Sequence, residues 1–180
     1  MTLPLALYGL IVPAWTTNAR VTTDLVRALP IRVFWAPIPG FPRRTVRMMA
    51  AHLHNSRCGW LRTLGQPLGI QVPRQFDPAW EGKPDLVRAL RQSGDAMEAL
   101  FLMACQRSGH LPATARYAWR NLALDVGHLL TYFVAHEAHH RGQLLLVARQ
   151  LGMPIEKAAA DRVWWWRPTP PRPRPRKRNS

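Results

Sequence analysis

Apolar residues recur at helical spacing over four long stretches of the chain, and the strict alternation of a surface strand is scarce. Residues 16–29, TTNARVTTDLVRAL, open on Thr and Asn positions suited to a cap, align Val21, Leu25, Val26 and Leu29, and stop at Pro30. The following PIRVFWAPIPGFPRR, with four prolines and a glycine, reads as a loop. A second helix covers 44–64, with an apolar stripe at Val46, Met49, Leu53, Trp60 and Leu64, and ends before Gly65. A second Pro/Gly loop covers 65–83. The third helix starts near Pro84, a residue favoured in a first turn, and is closed by Gly109. The fourth covers 122–151, with Gly152 and Pro154 as its stop. A short last helix over 155–166 carries Trp164, Trp165 and Trp166, which are expected to pack partly against the rest. Four long amphipathic helices joined by ordered loops predict an all-α fold, a four-helix bundle.

The chain has 180 residues, enough for one domain with a sizeable core and too few for two typical ones. The expected organisation is an apolar N-terminal extension over 1–14, a helical domain over 15–166 and a disordered basic tail over 167–180. The formal charge of +15 invites a nucleic-acid reading. Its distribution weakens that reading, because RPTPPRPRPRKRNS alone holds five arginines and a lysine without an acid. Such a tail is a solvated, polyproline-like extension that touches polyanions without selectivity. Nothing in the body matches a recognition helix or an RNA-binding signature, so nucleic acid is expected only as a non-specific partner of the tail.

Two cysteines, Cys58 and Cys105, without a CxxC spacing exclude a disulfide framework, and Cys58 reads as a small buried residue. The apolar start MTLPLALYGLIVPAW lacks a basic leader and a small-x-small cleavage site, and its prolines make it a poor membrane span. A cytoplasmic protein without a membrane partner is expected.

Candidate chemistry lies in the fourth helix, where VAHEAHHRGQLLLVARQLG places three histidines within five positions. At about 100° per residue, Val126, Leu129, Phe133, Leu144, Val147 and Leu151 form one stripe. His136 and His140 fall within it, and His128 and His139 fall opposite, where exposure is the simple account. Side chains at i and i+4 lie one above the other, so this pair can offer two nitrogens to one cation or stand as a hydrogen-bonded polar pair. Zinc, nickel and ferrous iron sites want a third protein ligand. In the second helix, His52 shares an edge with the small residues Ser56 and Gly59 and is slightly favoured. His54, on the other side, reads as a solvated or capping residue. Glu137 follows His136 by one position and is turned away from it by about 100°. Asp125 and Glu98 read as ordinary salt-bridge acids in preference to partners that orient an imidazole, and on bare sequence Arg141 reads as a surface residue and Gln143 as lining its helix.

AAHLHNSRCGWL in the second helix and DVGHLLTYFVAHEAHHRGQLLLVARQLG in the fourth resemble the DinB family of bacterial four-helix-bundle metalloproteins over residues 15–155, with RVWWWRP and the tail outside. Family members hold a divalent metal with one histidine of the second helix and an HxxxH pair of the last. Carried over by position, the ligands are His52, eight residues before Trp60, with His136 and His140. The resemblance implies a divalent cofactor, zinc or nickel with iron or manganese as alternatives. It also implies a small-molecule substrate, with low-molecular-weight thiols among the candidates, and a homodimer. The activity it implies is that of a metal-dependent hydrolase or thiol S-transferase, and it names no catalytic acid or base. A metal that only staples two helices, and a basic nucleic-acid-associated protein, are the competing readings.

Overall fold

The computed structural model describes residues 5–111 and 122–166. Four long helices account for most of it: α1 (Leu5–Ala28), α3 (Val46–Trp60), α4 (Lys83–Gln106) and α5 (Val126–Gln150). Two short helices, α2 (Ile31–Trp35) and α6 (Lys157–Asp161), a hairpin of β1 (Pro37–Ile38) and β2 (Phe41–Thr45), a π-helical turn over Leu61–Gly65 that extends α3, and 3-10 turns over Gln66–Leu68 and Arg162–Trp164 complete the described set. The fold is all-α in class. Helix α1 packs on α4 and α5, and α3 packs on the same two helices from its own side.

Local chemistry explains most boundaries. Thr45 caps α3, its Oγ1 accepting from the Met48 amide at 3.2 Å. Asp125 caps α5 in the same way through the His128 amide at 3.0 Å, so this helix starts at Val126 and not at 122. Gly152, at φ 70°, supplies the left-handed residue that ends it.

Three expectations need correction. Helix α1 begins at Leu5 and runs through Pro13, because Ile11 and Val12 pack beside buried Trp15 and this burial outweighs the proline's lost hydrogen bond. Much of the supposed N-terminal extension is therefore helix. The Pro-rich segment after α1 is not a plain loop, since it holds α2 and the antiparallel hairpin, with Pro37 opposite Thr45 and Ile38 opposite Phe41. A two-stranded ribbon has only edges, where prolines are tolerated. At the other end, Ile155, Ala159 and Val163 make the core contacts, leaving Trp164 79% and Trp165 65% exposed. Trp164 and Trp165 do not pack as expected, whereas Trp166, at 38% exposed, is partly covered as expected. The tail expected to be disordered, 167–180, lies outside the described residues, as do 1–4 and 112–121.

The core divides into two apolar clusters, one around Leu25, Phe34, Leu53, Leu90 and Leu144, the other around Trp15, Trp60, Phe101 and Phe133. Between them every long helix contributes to a buried polar layer. Arg57 of α3 grips Glu137 of α5 with two bonds, Nε to Oε1 at 2.7 Å and Nη2 to Oε2 at 2.8 Å, both side chains fully buried. On α1, the Asn18 amide and the Thr22 hydroxyl donate to Glu137 Oε2 at 2.9 and 2.7 Å, while both also accept from Arg141 Nη1. The remaining Arg57 nitrogen, Nη1, donates to the Leu90 carbonyl of α4 at 2.9 Å. Arg57 also lies 5.0 Å from the centre of the Trp15 ring, whose Nε1 donates to the Gly94 carbonyl at 2.9 Å. Gly94 lets α1 and α4 approach closely here: a Cβ would stand 3.3 Å from Ala19 Cβ, tighter than most such contacts, and 3.5 Å from Arg57 Nη1.

Burying ions is costly, and the Arg57–Glu137 pair is retained because both carboxylate oxygens and all three guanidinium nitrogens meet partners, while Arg141 Nε is left without one. Removing one partner leaves the other charge buried and bare. Arg57→Met is expected to lower folding stability by about 3–5 kcal/mol in urea unfolding. Lys157→Ala, which deletes only the exposed pair with Asp161, is expected to leave the urea midpoint unchanged.

Candidate metal centre

The polar layer fixes how α3 and α5 lie against each other, and the histidines sit on its rim. His52 precedes Arg57 by five positions, and on α5 each candidate ligand directly precedes a buried ion, His136 before Glu137 and His140 before Arg141. One ring nitrogen from each of His52, His136 and His140 lies within 4.8 Å of the others. His52 Nε2 and His136 Nε2 are 3.2 Å apart. Ring centres are separated by 5.2 Å (His52–His136), 4.9 Å (His52–His140) and 4.7 Å (His136–His140), with the planes close to perpendicular.

Two imidazole nitrogens on a tetrahedral ion, each about 2.0–2.1 Å from it, stand about 3.3 Å apart. The observed Nε2–Nε2 distance fits that geometry. Orientation is supported from behind: His140 Nδ1 donates to Gln143 Oε1 at 2.8 Å, which leaves the Nε2 lone pair free to ligate. The His136 ring stacks on Tyr132, 5.6 Å between centres and 6° between planes. Its Nδ1 is buried without a hydrogen-bond partner, and an ion on Nε2 would leave it so. Three neutral imidazoles whose ring nitrogens converge form a donor set suited to a divalent ion.

The protonation states agree. Burial pushes His136 down to about 4, and mutual repulsion with His140 and His52 adds to the shift against the pull of Glu137. Burial also lowers His52, with the Arg44 guanidinium contributing, and lowers His140 despite the Gln143 bond. All three are neutral at pH 7, as ligation requires.

Other sequence candidates fall elsewhere. His54 is fully buried and neither solvated nor capping. Its Nε2 donates to the Arg74 carbonyl at 2.9 Å, so Nδ1 accepts from the Ser93 hydroxyl at 3.0 Å. It ties the segment before α4 to α3. Cys58 is buried as expected, its thiol pushed up to about 11 by burial, and it offers no thiolate at neutral pH. Asp125 pairs with His128 Nδ1 at 2.6 Å, and Glu98 accepts from Thr16 at 3.0 Å, both ordinary roles. His128 and His139 are exposed. Arg141 is 3% exposed, a correction to its reading as a surface residue. Glu137 does turn from the histidines, but the turn carries it into the centre of the stripe made by Phe133 and Leu144. Sequence periodicity missed Arg57 altogether. Its signal was a lone charge at helical spacing between Leu53 and Trp60.

A family model described as DinB family matches residues 5–172, nearly the whole chain, and so reaches the tryptophan segment expected to lie outside it. No curated protein and no solved structure matches the chain.

Protons compete with an ion for these nitrogens. Because burial lowers all three rings, a bound divalent ion is expected to persist below the ordinary imidazole value of about 6.5 and to be lost as pH falls towards the His136 value of about 4. Metal content after equilibration across that range measures this. The metal-free fold should weaken over the same window, since unfolded imidazoles take up protons near 6.5 and folded His136 only near 4. Gln143→Leu is expected to weaken metal affinity by about tenfold or more without unfolding the chain, read by competition with a chelator.

Proposed function

The chain belongs to the DinB family, and from that premise we propose that it is a metal-dependent enzyme on a DinB-like four-helix bundle. His52, His136 and His140 hold one divalent ion, zinc or nickel, and the reaction is hydrolysis or transfer of a low-molecular-weight thiol. The observation that carries this reading is the meeting of three ring nitrogens from α3 and α5 within 4.8 Å.

An enzyme is favoured over a stapling ion for two reasons. Structural zinc sites are closed by four protein ligands, whereas the cluster among the described residues has three and His52 is exposed to solvent. The Arg57–Glu137 pair already ties α3 to α5, so the fold has no need of a second tie. When bound, a divalent ion supplies Lewis acidity that makes a water or a thiol easier to deprotonate at neutral pH. The protein's part is positional. Gln143 holds the tautomer and direction of His140, Tyr132 backs the His136 ring, and the buried layer sets the spacing between the two helices.

No described helix is long and apolar enough to cross a membrane. We place the protein in the cytoplasm, acting on a small molecule and assembling as a homodimer.

The test is His136→Ala. An enzyme site predicts loss of the metal and of any hydrolase or S-transferase turnover, with the melting temperature of the metal-free form retained. A stapling ion predicts a large fall in melting temperature on metal loss, because the binding energy of a structural ion is folding energy.

A further inference from the structure

One wall of the histidine site is the hairpin that the sequence presented as a loop. Between it, α3 and α5 runs an open groove of about 790 Å³, of a size that accepts a small organic molecule. His52 and His140 line its inner end. Its sides are apolar: Ile38 and Phe41 come from the hairpin, Met48 from α3 and Leu146 from α5. Phe41, Met48 and Leu146 are 64%, 41% and 54% exposed, far more than the core residues of the same elements. A contiguous apolar surface in a concave site is a recognition surface.

The charge in the groove is one-sided. Arg44, on β2, is the lone charged residue of the lining, and no carboxylate is among the lining residues to neutralise it. It lies close enough to His52 for its charge to be felt on that ring. A guanidinium beside an apolar wall, in a groove also lined by His52 and His140, favours an anion with an apolar body.

We propose that this groove binds an organic acid whose apolar body lies along Phe41, Met48 and Leu146 and whose carboxylate pairs with Arg44. The proposal deepens the metal-enzyme reading and rests on it only for the position of the reacting group beside His52 and His140. Arg44 is here a specificity residue. It selects the charged end of the ligand, and the hairpin exists in part to carry it.

The test uses the full chain, in zinc-loaded and chelator-stripped forms, with 6-phenylhexanoate and its neutral analogue 6-phenylhexanol as probes in titration calorimetry. The wild type is expected to bind the acid about three- to tenfold more tightly than the alcohol in both forms, a preference that shrinks with salt. Arg44→Met is expected to erase the preference and keep alcohol binding, and Leu146→Asn to weaken both probes together. Both positions are exposed, so thermal unfolding should confirm an intact fold. Equal binding of acid and alcohol by the wild type overturns the proposal. So does a preference that survives Arg44→Met, which would seat the carboxylate on the ion. A preference for the acid without any zinc uptake would instead retain the groove and refute the metal-centre reading.

Discussion

The bidentate pair between Arg57 and Glu137 is the constraint from which the rest of this structure follows. Apolar contacts between helices are non-directional and tolerate alternative packings more readily than polar ones. A fully buried guanidinium and carboxylate do not tolerate them, because a shift of one turn would strand both charges in the interior. Asn18 and Thr22 extend the same requirement to α1, and the Leu90 carbonyl extends it to α4. The layer therefore holds four helices in one axial register, with an apolar cluster on either side.

The histidine cluster inherits its geometry from that register. His136 and His140 directly precede Glu137 and Arg141 in sequence, so any rotation of α5 that moved the rings would also withdraw buried ions from their partners. The rings themselves are held at the solvent-facing rim, half-buried enough to stay neutral and open enough to meet a molecule in the groove. Stability and site are thus built from neighbouring residues with separate tasks.

How much of this was legible in the sequence follows from what periodicity measures. It located the four long helices and put His136 and His140 on one side of the last, because apolar spacing reports burial. The third histidine was only slightly favoured by spacing and was named by the family resemblance. Arg141, Arg57 and His54 were misread or missed, and the burial of Glu137 was not foreseen, for one reason: charged and polar residues are assigned to the surface unless a partner is known. Most of their partners are remote in sequence, 119 positions away for Asn18 and Glu137 and 80 for Arg57 and Glu137. The hairpin was hidden for a different reason. Proline and glycine mark breaks in regular structure, and a two-stranded ribbon this short carries too few alternating positions to show a period. Trp164 and Trp165 were over-read, since their size suggests burial while their neighbours Ala159 and Val163 make the contact.

One ion shared by three imidazoles, two from α5 and one from α3, underlies the whole site, and X-ray absorption at the metal edge of the zinc-loaded chain tests it. Three imidazole nitrogens at about 2.0–2.1 Å are expected, identified by scattering from the ring atoms behind them, with oxygen completing the shell. A shell with fewer than three imidazoles, or one containing sulfur at about 2.3 Å, would contradict it.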